Sequence, residues 1–115
     1  MSMNNIIPFE LLEGGVHSTA PVDEVPEIEL TRWAVFQLPD GNRHFVGWNM
    51  TEGEGRASSK IVSYNKETKI GKTASGRTYK LIGESGIDMD ALYVWSYWKT
   101  INNVSDEKNV SEEYE

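Results

Sequence analysis

Ten of the twelve aromatic side chains lie between Trp33 and Trp98, leaving only Phe9 and Tyr114 outside that interval. Aromatic rings supply the largest buried areas, so a hydrophobic core must be built from this stretch. A single globular domain is expected over residues 32–103, preceded by a leader at 1–31 and followed by a tail at 104–115. At 115 residues the chain has room for that one domain and no second.

Charge divides the chain at the same places. Residues 1–31 carry six acids and no Lys or Arg; residues 32–103 carry ten basic residues against seven acids; residues 104–115 carry five acids and Lys108. A mildly basic centre therefore stands between two acidic ends, a pattern typical of interaction tails. The leader also holds Pro8, Pro21 and Pro26, three of the four prolines. Neither end has the composition to bury much apolar area, so both are expected to be mobile, the tail disordered.

Several classes fall away on composition. There is no cysteine, which removes disulfides, thiolate chemistry and cysteine-bearing zinc sites. His17 and His44 are the only histidines. No apolar run approaches the roughly 20 residues of a membrane span, and the first residues lack the basic start and apolar stretch of a signal peptide. A soluble, cytoplasmic protein without cofactor or metal is expected.

Within the centre, Arg32-Trp33-Ala34-Val35-Phe36-Gln37-Leu38 has the β-branched and aromatic content of a strand, ended by the turn residues Pro39-Asp40-Gly41-Asn42. On the return limb His44, Val46, Trp48 and Met50 point to one face, and Phe45, Gly47 and Asn49 to the other. The glycine-rich residues 51–59 form a long connection. A second hairpin follows, from 60–64 through a turn at 65–67 into 68–73, and the chain turns again into 77–82. Ala91, Val94, Trp95, Trp98 and Ile101 then recur at helical spacing, with Asp88 as N-cap, Asp90 in the first turn, Lys99 near the end and Asn102-Asn103 as the stop. The expected fold is α+β: a four-stranded antiparallel sheet of two successive hairpins, with one C-terminal helix packed on one face.

Three segments carry a resemblance: Glu54-Gly55-Arg56 with Ser58-Ser59 and Ile61-Val62; Ser75-Gly76-Arg77 with Tyr79, Leu81 and Gly83; and Asp90-Ala91 with Tyr93-Val94-Trp95. In these the chain resembles small bacterial hypothetical proteins of plasmids and prophages, over about residues 44–98. The resemblance implies a mobile-element setting. It brings no known activity and no catalytic residues.

Residues 52–59 are the densest in chemistry. Two carboxylates, the Arg56 guanidinium and the hydroxyls of Ser58 and Ser59 lie beside glycines that let a ligand approach the backbone, which suits an anion site. A structured turn accounts for them better: Arg56 pairs with Glu52 or Glu54 while the serines satisfy backbone groups. The third glycine of a dinucleotide fingerprint and the lysine of a P-loop are both missing. His44 with Asp40 and Ser58 or Ser59 can be written as a triad, but nothing in the spacing supports one.

Residues 60–82 hold Lys60, Lys66, Lys69, Lys72, Arg77 and Lys80 against Glu67 alone, with Tyr64 and Tyr79 among them. Basic side chains beside aromatics are the footprint of phosphate contact and base stacking. Lysines that solvate an edge strand give the same composition. Residues 6–12, Ile-Ile-Pro-Phe-Glu-Leu-Leu, form a short apolar motif suited to docking in a groove or on a sheet edge.

Two functional classes fit. One is a protein-binding or regulatory, even inhibitory, accessory factor of a mobile genetic element, whose acidic ends engage a basic partner or mimic nucleic acid. The other is a nucleic-acid-binding module using the basic hairpin 60–82, its binding residues drawn from Arg56, Ser58, Tyr64, Lys69, Lys72, Arg77, Tyr79 and Lys80. The first is favoured because a net charge of −7 repels polyphosphate, and the excess positive charge of the hairpin must overcome that repulsion at distances near the Debye length of roughly 8 Å. An enzyme is not expected, and the oligomeric state is open.

Overall fold

The computed structural model describes residues 27–115. The readings made for residues 1–26, including the apolar motif at 6–12, lie outside the described residues. Strands β1 (Glu27–Gln37), β2 (Arg43–Asn49), β3 (Glu54–Asn65), β4 (Ile70–Thr73) and β5 (Thr78–Leu81) come first. Helix α1 (Met89–Ile101), the short strand β6 (Lys108–Asn109) and a 3-10 turn (Ser111–Tyr114) follow.

β1 to β5 form an antiparallel meander, each strand paired with the next. Five strands of alternating direction leave the first and the fifth pointing the same way, so closure requires a parallel pair. β5 supplies it, with Ile28 opposite Tyr79 and Leu30 opposite Leu81. The result is a closed five-stranded barrel, and closure covers strand edges that an open sheet leaves unpaired.

A local irregularity lets β1 join both neighbours. Its register with β2 shifts between Thr31 and Ala34, and Arg32 has φ +45°. Ile28 and Leu30 face the barrel core before the shift, Trp33 and Val35 after it. One extra residue thus exchanges the inward and outward faces, as a bulge does. Beyond it Ala34 and Phe36 turn outward and meet the helix.

Two apolar layers result. Ile28, Leu30, Trp33, Val35, Phe45, Tyr79 and Leu81 fill the barrel together with Val110 and Tyr114. Outside it, α1 lays Ala91, Val94 and Trp95 on Ala34, Phe36, Val46 and Ala57. The helix sits so close that a Cβ at Gly55 would lie 2.4 Å from the Ala91 backbone nitrogen. Asp88 caps α1 by accepting from the Ala91 N–H at 3.0 Å, and Asn102 closes the other end. No helix among the described residues is long and apolar enough to cross a membrane.

Three expectations are corrected. The open four-stranded sheet of two hairpins is replaced by the closed barrel with an additional strand, although α+β holds. The parallel β1–β5 pair that closes it joins distant segments and leaves no local pattern. The long connection at 51–59 is shorter, because Glu54 begins β3 and pairs with Asn49. The domain is wider than 32–103: Ile28 and Leu30 are fully buried, and the tail returns to the barrel, with Asn109 opposite Phe36 and both Val110 and Tyr114 buried. Val110 and Tyr114 in the barrel, Val104 against the outer layer and the Ser111 hydroxyl on the Val35 N–H anchor an otherwise polar segment.

Candidate functional site

The eight residues singled out for binding do not form one surface. Arg56, Ser58, Arg77 and Tyr79 are buried. Arg56 donates from Nε to the Tyr79 hydroxyl at 2.9 Å, lies over the Tyr79 ring, and approaches the carboxylates of Glu52 and Glu54 at 3.3 and 3.8 Å. The dense 52–59 segment thus places its guanidinium among two acids and a buried phenol. Ser58 accepts from the Phe45 N–H and donates to the Ser59 carbonyl, which uses its hydroxyl inside the sheet. Ser59 accepts from the Ser75 N–H at 3.2 Å.

The basic hairpin is dispersed as well. Lys69 reaches the Tyr114 carbonyl at 3.3 Å, and Tyr64 donates to the same oxygen. Lys72 is exposed and Lys80 half-buried. Lys80 stands in register beside Glu29 of β1, so an acid from the neighbouring strand borders its charge. Alternating orientation puts Lys72 and Lys80 on the opposite side of their strands from Tyr79 and Tyr64.

A different constellation gathers around His44. Its imidazole is buried beneath α1, with ring centroids 5.3 Å from Trp95 and 4.9 Å from Trp98. Trp95 in turn stacks on Phe36 and Trp98 at 5.7 and 5.2 Å. His44 Nδ1 lies 2.9 Å from the Ser58 carbonyl, which only accepts, so Nδ1 carries the proton and Nε2 the lone pair of the neutral ring. Burial lowers the pKa from the ordinary histidine value; the Ser58 carbonyl and Asp40 oppose the shift, while Lys60 reinforces it.

These bonds are not those of a serine triad, in which a carboxylate orients Nδ1 and the nucleophile faces Nε2. Asp40 accepts instead from the backbone and side chain of Asn42. His44 does line an open cleft of about 280 Å³, with Leu38, Ser59, Lys60, Ala74 and Trp98 around it and Asp40 at its edge. Among the described residues no group of three or more His, Cys, Asp or Glu side chains is arranged to hold a metal ion.

The outer face of α1 is the second unusual surface. Met89, Tyr93, Tyr97 and Ile101 recur every four residues and are 75, 64, 40 and 38% exposed. Asp90 and Lys99 are the only charged residues of the helix, and Lys99 is tied to Glu107 at 2.6 Å. A surface helix ordinarily turns charged residues outward; α1 is apolar or aromatic on both sides. Sequence reasoning grouped Ile101 with the inner face of Ala91, Val94, Trp95 and Trp98; it stands instead on the outer stripe, and the spacing of Met89, Tyr93 and Tyr97 was visible in the sequence. The His44 cleft had no such signal, since its walls come from separate elements.

No family model, curated protein or solved structure matches the chain.

Proposed function

We propose that this chain is a non-catalytic accessory protein that works by binding another protein, and that the outer face of α1 is its contact surface. The supporting observation is the exposed Met89, Tyr93, Tyr97 and Ile101 stripe on a helix anchored to the barrel through its opposite face. Aromatic and methionine side chains are the residues most enriched at protein interfaces, and a rigid helix presents them with little entropy left to lose. The partner is a protein with an apolar groove or patch. A regulatory or inhibitory role for a mobile element rests on the resemblance of residues 44–98 and belongs to the same proposal.

Nucleic-acid binding through residues 60–82 has less in its favour. Arg77 and Tyr79 are buried, Lys69 is engaged at the C-terminus, and Glu29 borders Lys80. The test is a photocrosslinking residue at Tyr93 of the full chain in living bacterial cells, with Tyr97→Glu as the interface-breaking variant. A discrete crosslink to another protein that disappears with Tyr97→Glu, at an unchanged unfolding midpoint, is expected. Crosslinks only to a second copy of the chain, or none, overturn the proposal.

A further inference from the structure

The cleft beside His44 is separate from the Met89–Tyr97 surface and combines features that the fold alone does not require. His44 is 4% exposed, and its Nδ1 proton is committed to the Ser58 carbonyl. Nε2 has no hydrogen-bond partner among the described residues, and the ring borders the cleft. A lone pair beside an open cleft is available to a donor from a bound molecule. Trp98 packs against the imidazole and, with Leu38 and Ala74, gives the cleft an apolar flat wall, while Asn42 and Ser59 add polar groups to the lining. Asp40 and Lys60 bring one charge of each sign to the rim, so the cleft selects neither an anion nor a cation.

We propose that this cleft binds a small uncharged phenol, its ring packed against Trp98, Leu38 and Ala74 and its hydroxyl donating to His44 Nε2. The volume of about 280 Å³ suits a single substituted ring and is at the small end of ligand pockets. A hydroxyl is the matching group because the neutral imidazole in this tautomer offers a lone pair and needs a donor. Protonation of His44 would convert Nε2 from acceptor to donor and remove the match. The charged groups acting on it are Asp40 from the β1–β2 turn and Lys60 from β3; α1 contributes only the uncharged Trp95 and Trp98.

The test uses the full chain with p-cresol, and with toluene as the same ring without the hydroxyl. Long-range nitrogen–proton NMR of the His44 ring and the Trp98 indole resonance report occupancy. Saturable shifts at both residues are expected with p-cresol, with toluene at least about tenfold weaker, a difference of about 1.4 kcal/mol. Ala74→Leu, which fills the cleft from an exposed position without touching His44, should abolish the shifts. p-Cresol affinity should fall as pH drops through the His44 titration, while toluene affinity stays level. N-acetyltyrosine amide as a third probe separates sources: tighter binding than p-cresol assigns the cleft to a tyrosine of a partner, weaker binding to a free phenol. No saturable shift, equal affinity for p-cresol and toluene, or shifts that survive Ala74→Leu overturn the proposal.

Discussion

Tyr64 packs against Tyr114, fifty residues further along the chain, with ring centroids 4.6 Å apart and the Tyr64 hydroxyl donating to the Tyr114 carbonyl at 2.5 Å. Phe45 meets the Tyr114 ring edge-on, and the Arg43 guanidinium lies over it. The last aromatic of the chain is therefore a component of the barrel core. Tyr114→Ala should destabilise the protein by about 3–5 kcal/mol, the usual cost of emptying a buried aromatic site. Tyr64→Phe, which removes only the hydrogen bond, should cost about 1 kcal/mol. Urea unfolding of both variants checks the order, and equal small losses would show that the C-terminal segment is not part of the cooperative unit.

Asp88 uses its two carboxylate oxygens differently. Oδ2 caps α1 through the Ala91 N–H, while Oδ1 accepts from Nε and Nη2 of Arg32 at 3.0 and 2.8 Å. The Arg32 side chain is 55% exposed, so the ion pair is screened and contributes little. Asp88→Ala should cost about 0.5–2 kcal/mol, and Asp88→Asn, which keeps a capping oxygen, clearly less. Thermal unfolding midpoints of the two variants separate cap from charge.

Gly55 is where α1 touches the barrel most closely. A methyl group there would lie 2.4 Å from both Ala91 N and Asp90 C, which are backbone atoms that cannot swing aside. Gly55→Ala should force the helix outward at a cost of about 1–3 kcal/mol and alter the near-ultraviolet dichroism of the tryptophan stack. A spectrum identical to that of the parent would mean that the helix is not seated as described.

The lowered pKa of His44, caused mainly by burial and opposed by the Ser58 hydrogen bond, carries a definite sign. Above the ordinary histidine value of about 6.5 the ring is neutral in both folded and unfolded chains and pH has no effect through it. As pH falls below that value the unfolded chain takes up a proton that the folded ring resists. Stability should therefore decline from about pH 6.5 downward and level off once the folded ring is also protonated. Urea midpoints across this range for the parent and His44→Gln give the contribution by difference, and parallel curves would contradict it.

Much of the local structure was legible in the sequence. Alternation along β2 put Phe45 in the barrel core and Val46 under the helix, and the spacing of Ala91, Val94 and Trp95 gave α1 with Asp88 as its cap. Those features depend on neighbouring residues, and period and capping chemistry are written in the chain itself. The charge count was equally readable, but where each charge lies was not. Arg56 and Arg77 went into the interior, and Lys69 to the Tyr114 carbonyl.

Barrel closure was decided only in three dimensions. It requires β5 to lie parallel to the first half of β1, and β1 to exchange its faces at Arg32 so that Leu30 and Trp33 both point inward. Neither leaves a periodic trace, because a parallel pair joins segments without a turn and a bulge breaks the alternation by which a strand is recognised. For the same reason the tail read as acidic and disordered. The sequence by itself determined which stretches become strand or helix; tertiary structure decided that Tyr114 completes the core and that His44 meets Trp98 beside a cleft, since both depend on residues brought together only when the barrel closes and the helix docks.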